Sequence, residues 1–426
     1  MEEGRKPLTR QAERALQETP LEVEDAIKKL CAVVPSPMQA ERIPILSALT
    51  RVLAVDITAP FDQPPFARSP LDGYTFNAAG SIGATPEQPA RLRIVGKEYA
   101  GEAWKGTLGA GEALAIATGA PIPAGADCVI RMEDVTVEGE TLLVPRAFHA
   151  GENVCPQGED VRAGERILAA GTELGAMEAA VLASLGFADV TVYRAPRIAI
   201  AATGDELLTP GEPLQPGRIY DSNLYYLAAR LKELGFEPRV LGRLSDEPSE
   251  AAAQLAPCFD VASETRADLV ITTGGVSVGP RDVMHGARQV LDAEEIFWRV
   301  AMKPGAPVLA YEKNGTLGLA LSGNPFAACA TFELLARPVL AKLAARPALA
   351  LEQGTAKLAD AFPKASPGRR FLRARLENDG RVHLPAMHAS GVLSSALGCN
   401  VFVDIPAGSG PLTVGAVVRI WKERNR

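Results

Sequence analysis

The sequence predicts a multidomain α/β plus β protein: a central doubly wound α/β domain, a small inserted β-domain, an N-terminal linker domain and a C-terminal β-domain. Three observations carry this. Residues 197–340 alternate short apolar strand patterns with helical ones, as a parallel sheet covered on both faces requires. Residues from about 92 to 145 hold only short apolar runs divided by glycines, a β pattern. The chain after about residue 345 has strand-like runs and no long helix. At 426 residues it exceeds what one core supports.

The elements follow in order. Residues 1–19 are mixed in charge, lack the apolar core of a secretory signal and read as a loosely ordered tail. Thr19 or Pro20 opens a helix, because Leu21, Val23, Ala26, Ile27 and Leu30 recur at helical spacing. A second helix is expected over Ile45–Leu53. Prolines hold Pro64–Phe76 extended, with a sharp turn at Asp72-Gly73 that puts the Asp72 carboxylate in a loop. The β pattern and the loop carrying Thr118 come next, then a glycine-punctuated stretch, Gly151–Gly171, with Glu159 and Asp160 at a turn. A helix over Glu173–Leu185 and a strand over Ala188–Tyr193 lead out. The expected boundaries are 20–60 with 144–193 for a discontinuous linker domain, 61–143 for the inserted β-domain, 194–343 for the α/β domain and 344–426 for a barrel-like C-terminal domain.

Within the α/β region, RIAIAAT, PRVLGRL and Leu269–Ile271 are strands. Helices over Leu224–Leu234, Pro248–Ala262 and Val283–Leu291 separate and follow them. EIFWRVAM, APVLAYE and TLGLALSG supply further strands before a helix over Phe326–Leu340. FLRARLE, RVHLPAM, NVFVDIP and AVVRIW are the strands of the C-terminal domain.

Composition removes several classes of function. A formal charge of −7 argues against a general binder of nucleic-acid backbone. Six scattered cysteines form no CxxC pair, and the four histidines form no HExxH motif. No uninterrupted apolar run approaches the ~20 residues of a membrane span. The expected location is cytoplasmic.

The chain is organised around Asp268–Asp282, DLVITTGGVSVGPRD. A buried strand ends in Thr272 and Thr273, Gly274-Gly275 permit a turn that no side chain obstructs, and Pro280 suits the first turn of a helix. Such a loop offers backbone N–H groups to an anion. Gly-Gly alone is an ordinary turn; its companions give it weight. After the first strand come Thr203-Gly204-Asp205-Glu206 and Asp221-Ser222-Asn223, where Ser222 or Asn223 would cap the next helix. After the second comes Ser245-Asp246-Glu247, where Ser or Asp again resembles a cap. Arg299 and Lys303 flank WRVAMKPG, and Ser322-Gly323-Asn324-Pro325 precede the last helix. In a doubly wound sheet all these loops share one edge. Four carboxylates, two cations and two glycine-rich loops together suit a phosphorylated ligand bound with Mg²⁺. Neither GxxxxGK[ST] nor GxGxxG is present.

The motifs SPLDGYTF, TGAPIPAGAD, GENV…GED, TGDELLTPGEPLQPGRIYDSN, TTGGVSVGPRD, FWRVAMKPG and SGNP stand in the order found in molybdopterin molybdenumtransferases, the MoeA type. The chain resembles that family, and the E domain of gephyrin, over nearly all of residues 20–426. The resemblance implies a molybdopterin-binding α/β domain and Mg²⁺-dependent insertion of molybdate into adenylylated molybdopterin, with release of AMP. It implies a homodimer whose cleft is shared between the α/β domain of one subunit and the N-terminal domains of the other, and contacts with other cofactor-biosynthesis proteins.

By the same resemblance, Thr203, Gly204, Asp221, Ser222, Asn223, Thr273, Gly274, Gly275, Ser277, Gly279, Ser322, Gly323, Asn324 and Pro325 would bind the pterin nucleotide. Asp205, Glu206, Asp246 and Asp282 would hold the metal. Asp72, Thr118, Asp160, Glu206, Asp246, Asp282, Arg299 and Lys303 would serve the reaction, the first three from the partner subunit. A tungstate-preferring enzyme and a non-catalytic pterin-binding scaffold are the alternatives. Three positions depart from the family pattern: Cys155 stands where arginine is usual, Ala306 where a second lysine is common, and Ser322 where proline opens PGNP. These departures bear on oxyanion affinity and on the choice between molybdate and tungstate.

Overall fold

The computed structural model describes residues 18–36, 38–277, 279 and 282–423. Most of the expected tail, residues 1–17, and Pro280 at the expected helix start therefore lie outside the described residues. The chain divides into two units, one of residues 42–49 and 53–191, the other of the described residues up to 41 with 50–52 and 192 onward.

In the first unit the β pattern becomes a six-stranded sheet, in the order Cys128–Arg131, Gly73–Phe76, Glu112–Ile116, Ala90–Glu98, Thr141–Val144, Thr136–Glu138. Phe76, Leu92, Ala113, Ile130, Leu142 and Phe148 form its core, with Phe76 and Phe148 edge to face at 5.5 Å. Asp72 lies at the loop's end. Gly73 starts a strand, and a Cβ there would sit 1.9 Å from the Ile130 carbonyl oxygen, so glycine serves close strand approach. The helix expected over Ile45–Leu53 is a single 3-10 turn, Ile45–Ala48; Leu49 is extended and Thr50 takes φ 64°, which no right-handed helix continues through. The later helix, Ala176–Ser184, forms as expected.

The second unit opens with α1 (Val23–Val33) and holds the α/β sheet. Its elements are β1 (Ile198–Thr203), α2 (Asn223–Glu233), β2 (Arg239–Leu244), α3 (Pro248–Phe259), β3 (Leu269–Thr273), α4 (Val283–Val290), β4 (Glu294–Trp298), β5 (Leu309–Lys313), β6 (Thr316–Leu321) and α5 (Pro325–Thr331). A π-helical turn, Phe332–Ala336, and a further helical segment, Arg337–Leu343, extend α5. Strand order is β2-β1-β3-β6-β5-β4, with β2, β1, β3 and β6 parallel and β5 antiparallel to both β6 and β4. Strand periodicity sorts the core into two layers. Ile198, Ile200 and Ala202 pack with α1 and α2 on one face, while Ala199 and Ala201 pack with α3 and α4 on the other. The sheet is doubly wound.

The C-terminal residues close a barrel of β7 (Glu352–Leu358), β8 (Arg370–Leu376), β9 (Arg381–His383), β10 (Val401–Ile405) and β11 (Val417–Lys422), in the order β7-β9-β8-β10-β11. β7 is the strand that sequence reading missed. The barrel is joined to the α/β domain by apolar and ionic contacts. Phe371 and Trp421 belong to the same core as α1 and α5. Glu333, 5% exposed, accepts from Arg230 at 2.6 Å and from Arg337 at 2.7 Å, and Glu423 beyond β11 pairs with both arginines. Arg369 donates to both Glu24 and Asp404.

Candidate functional site

Strand order reverses between β1 and β3, and Thr203 and Thr273 end those strands side by side. Such a crevice is where doubly wound sheets take ligands. Gly274 follows with φ 89° and Gly275 with φ 61°; a Cβ on Gly274 would lie 2.6 Å from Thr203 Oγ1, and one on Gly275 2.9 Å from the same atom. Only glycine fits the two positions, so their backbone is bare toward the crevice. Gly323 sits against this loop, its Cβ position 3.4 Å from Gly274 Cα. Asn223 donates from its side-chain amide to the Gly323 carbonyl at 2.8 Å, which joins the loop before α2 to the SGNP loop.

These loops wall a cavity of about 1100 Å³. Of the residues named from sequence, Thr203, Gly204, Glu206, Asn223, Asp246, Thr273, Gly274, Gly275, Ser277, Asp282, Lys303, Ser322, Gly323, Asn324 and Pro325 line it. Asp205, Asp221, Ser222, Gly279 and Arg299 do not. The Asp205 N–H donates to Asp246 Oδ2 at 3.0 Å and so fixes that carboxylate. Asp221, not Ser222 or Asn223, caps α2 by accepting the Leu224 N–H at 2.9 Å, and burial pushes its carboxyl up. Neither Ser245 nor Asp246 caps α3; the Ser245 hydroxyl instead meets Glu250 at 2.7 Å and accepts the Glu247 N–H. The Gly279 N–H donates to Asp282. Arg299 has φ 74° and its guanidinium lies 5.9 Å over the Trp298 ring.

The barrel supplies what sequence reading did not find. Lys364, Arg370, His388 and Ser390 line the same cavity. Backbone hydrogen bonds seat them: Lys303 N to Arg369 O at 3.0 Å, Phe371 N to Lys303 O at 2.8 Å, and Phe326 N to Ser390 O at 2.9 Å. Burial, reinforced by Arg373, Lys364 and Arg370, holds His388 below its ordinary value of 6.5, so its imidazole is neutral at neutral pH. Arg373, 2% exposed, donates to the Met387 and Ala389 carbonyls behind the lining loop and lies 4.1 Å over the Phe326 ring, while its Nε and Nη1 have no hydrogen-bond partner. The signal for this wall was the basic run PKASPGRR in an acidic chain.

Asp72, Thr118 and Asp160 lie in the other unit. Asp72 accepts the Thr118 N–H at 2.7 Å and its hydroxyl at 3.0 Å, which together hold the Asp72 carboxyl below its ordinary value. Ser69 and Gly119–Ala120 exchange backbone hydrogen bonds, and Arg68 exchanges them with Cys155. The Asp160 N–H donates to the Gln63 carbonyl at 3.0 Å. The three segments are therefore stitched into one patch. Cys155 is buried there with its thiol on Glu159 at 2.5 Å, whereas Ala306 and Ser322 line the α/β cavity. All six cysteines are unpaired.

Among the described residues no three His, Cys, Asp or Glu side chains are grouped to hold a metal. Glu206, Asp246 and Asp282 nevertheless line one cavity, and hard carboxylate oxygens of this kind suit Mg²⁺. That ion characteristically takes one or two protein carboxylates and completes its shell with phosphate and water. Among the described residues no helix is long and apolar enough to cross a membrane.

Fold and crevice define the class, a doubly wound α/β protein with a polar ligand cavity at the switch point of its sheet. Comparison with known proteins identifies the family. Residues 21–186 match the model for the MoeA N-terminal region (domain I and II), residues 199–342 that for a probable molybdopterin binding domain, and residues 355–422 that for the MoeA C-terminal region (domain IV). A molybdopterin molybdenumtransferase of Bacillus subtilis is 34% identical over 409 residues, 94% of each chain. One from Synechococcus elongatus is 33% identical over 400 residues, 92% of this chain and 96% of that one. Two structures of the molybdopterin biosynthesis MoeA protein from Pyrococcus horikoshii align with TM-scores of 0.80 and 0.74 at 30% identity, covering 96% and 95% of this chain and 100% of theirs. The chain belongs to the molybdopterin molybdenumtransferase family of MoeA type.

Proposed function

We propose that this chain is a molybdopterin molybdenumtransferase that inserts molybdate into adenylylated molybdopterin with Mg²⁺ and releases AMP, in the cytoplasm and as a homodimer. One observation carries the reading: bare glycine backbone, three carboxylates and the cations Lys303, Lys364 and Arg370 surround a single cavity. Molybdate is a tetrahedral dianion and the pterin dithiolate is electron-rich. Cations are needed to hold one beside the other.

In this reading the Gly274-Gly275 loop and the SGNP loop bind the phosphates through backbone N–H groups. Glu206, Asp246 and Asp282 would hold Mg²⁺, which when bound neutralises charge on the phosphate oxygens. Lys303, Lys364 and Arg370 orient the oxyanion, with Arg373 behind them. Positioning, rather than a covalent enzyme intermediate, supplies the catalysis. Asp72, Thr118 and Asp160 act from the partner subunit.

The test is AMP release from adenylylated molybdopterin with and without molybdate. Molybdate-stimulated release supports the transferase. Tight binding without turnover supports a pterin-binding scaffold instead. Competition by tungstate decides between the two oxyanions, a choice to which Ala306 is relevant because it leaves Lys303 as the cation of that turn. For the shared cleft, Asp72→Ala and Asp282→Ala subunits are mixed. Heterodimers should regain activity, and no regain with exchange verified argues against a cross-subunit site.

A further inference from the structure

Glu98 ends the strand Ala90–Glu98 and is 3% exposed. Its Oε1 accepts the Trp104 backbone N–H at 2.9 Å, while Oε2 is buried without a partner. A buried carboxylate oxygen lacking a donor is costly and asks for one. Burial pushes the Glu98 carboxyl up, and the neighbouring Glu102 adds to the push. The residue lines a cavity of about 420 Å³ together with Glu102, Trp104, Lys97 and Lys105.

The aromatic wall of this cavity is built in. A Cβ on Gly96 would lie 2.7 Å from the Trp104 ring, and one on Gly106 would lie 3.0 Å from its Nε1, so two bare backbone positions let the indole lie where it does. Lys97 precedes Glu98 on the strand and lines the cavity too, but it is exposed, which lets its ammonium reach water. Lys105 is exposed on the loop.

We propose that this pocket binds an aliphatic ammonium group, seated between Glu98 Oε2 and Glu102 with its methylene stem against the Trp104 indole. Two carboxylates repel an anion, and an indole face attracts a cation. A hard divalent cation gains nothing from the indole, whereas an ammonium on a methylene stem uses both the carboxylates and the ring. The ammonium comes either from a free aliphatic amine or from a lysine side chain of another protein. Occupancy would be felt nearby: the Glu98 carbonyl accepts the Ala117 N–H at 3.0 Å, next to Thr118, which holds Asp72.

Trp104 reports on its own pocket. The chain has three tryptophans, and Trp298 and Trp421 are buried at 4% and 5% exposure. The full-length protein is titrated with N-acetyl-lysine methylamide, with putrescine and with the Nε-acetylated lysine compound. A saturable change in emission with either amine, absent with the acetylated compound and absent in Trp104→Phe, is the expected result. Preference for the lysine compound assigns the occupant to a protein side chain, and preference for putrescine assigns it to a free amine. Glu98→Gln should weaken binding about tenfold, the loss of one paired charge. Should that variant fail to fold, Glu102→Gln, at an exposed position, should still weaken binding. No saturable change, equal response to the acetylated compound, or unchanged affinity in the folded variants overturns the proposal.

Discussion

The side-chain amide of Asn223 and the carbonyl of Gly323 are 2.8 Å apart in the cavity lining, joining two loops a hundred residues apart in sequence. Asn223→Ala removes that tie and leaves α2 intact, because Asp221 caps the helix. Affinity for the pterin nucleotide should fall about fivefold, the worth of one hydrogen bond. Calorimetric titration checks this, with an unchanged melting temperature as the control.

Gly274→Ala meets both the hydroxyl and the carbonyl of Thr203, at 2.6 and 2.7 Å, in a left-handed backbone. The change should cost about 1–3 kcal/mol of stability and abolish nucleotide binding. A second substitution, Thr203→Ala, should not rescue binding, since the carbonyl remains. Denaturant titration and ligand binding on the single and double variants decide it.

Asp282→Asn keeps an acceptor for the Gly279 N–H but removes the charge. The fold should be unchanged, and Mg²⁺-dependent AMP release should fall about a hundredfold, with the Mg²⁺ requirement shifted upward. Unchanged turnover across a Mg²⁺ titration removes Asp282 from the mechanism.

Glu333→Ala leaves the buried Arg230 and Arg337 guanidiniums short of their shared carboxylate. The expected loss is about 3–5 kcal/mol, read by urea unfolding. Acid should act on the same seam. Burial pushes Glu423 up, but Arg230 and Arg337 outweigh it and hold the carboxyl below its ordinary 4.5; Arg369 holds Glu24 down likewise. A carboxyl depressed on folding stabilises above its unfolded value, and that contribution is lost as pH falls through 4.5 toward the folded value. Stability should therefore drop below about pH 4.5 in the wild type, and removing Glu423 should flatten that part of the profile.

β1, β3 and β6 were legible because each is a short apolar run buried on both faces, and their loops because glycines and carboxylates mark strand ends. Ile45–Leu53 misled because its apolar spacing suits a helix, while the left-handed Thr50 that breaks it carries no mark in a residue of that type. β7 was invisible because EQGTAKL offers only Ala356 and Leu358 to the barrel core. The glycine side of the candidate site could be read from motifs. Lys364 and Arg370 showed only as a basic run and His388 not at all, since only the docking of the barrel on Lys303 brings them to the cavity.

That docking lets about the final fifth of the chain line a cavity whose glycine loops it does not itself contain. The floor of the vessel is glycine backbone, which tolerates almost no revision. Its ceiling includes Lys364 and His388 on loops between barrel strands and Arg370 at the start of β8, where exchange costs the core little. On the proposed function, drift that tunes which tetrahedral oxyanion is admitted has its freest ground in that ceiling.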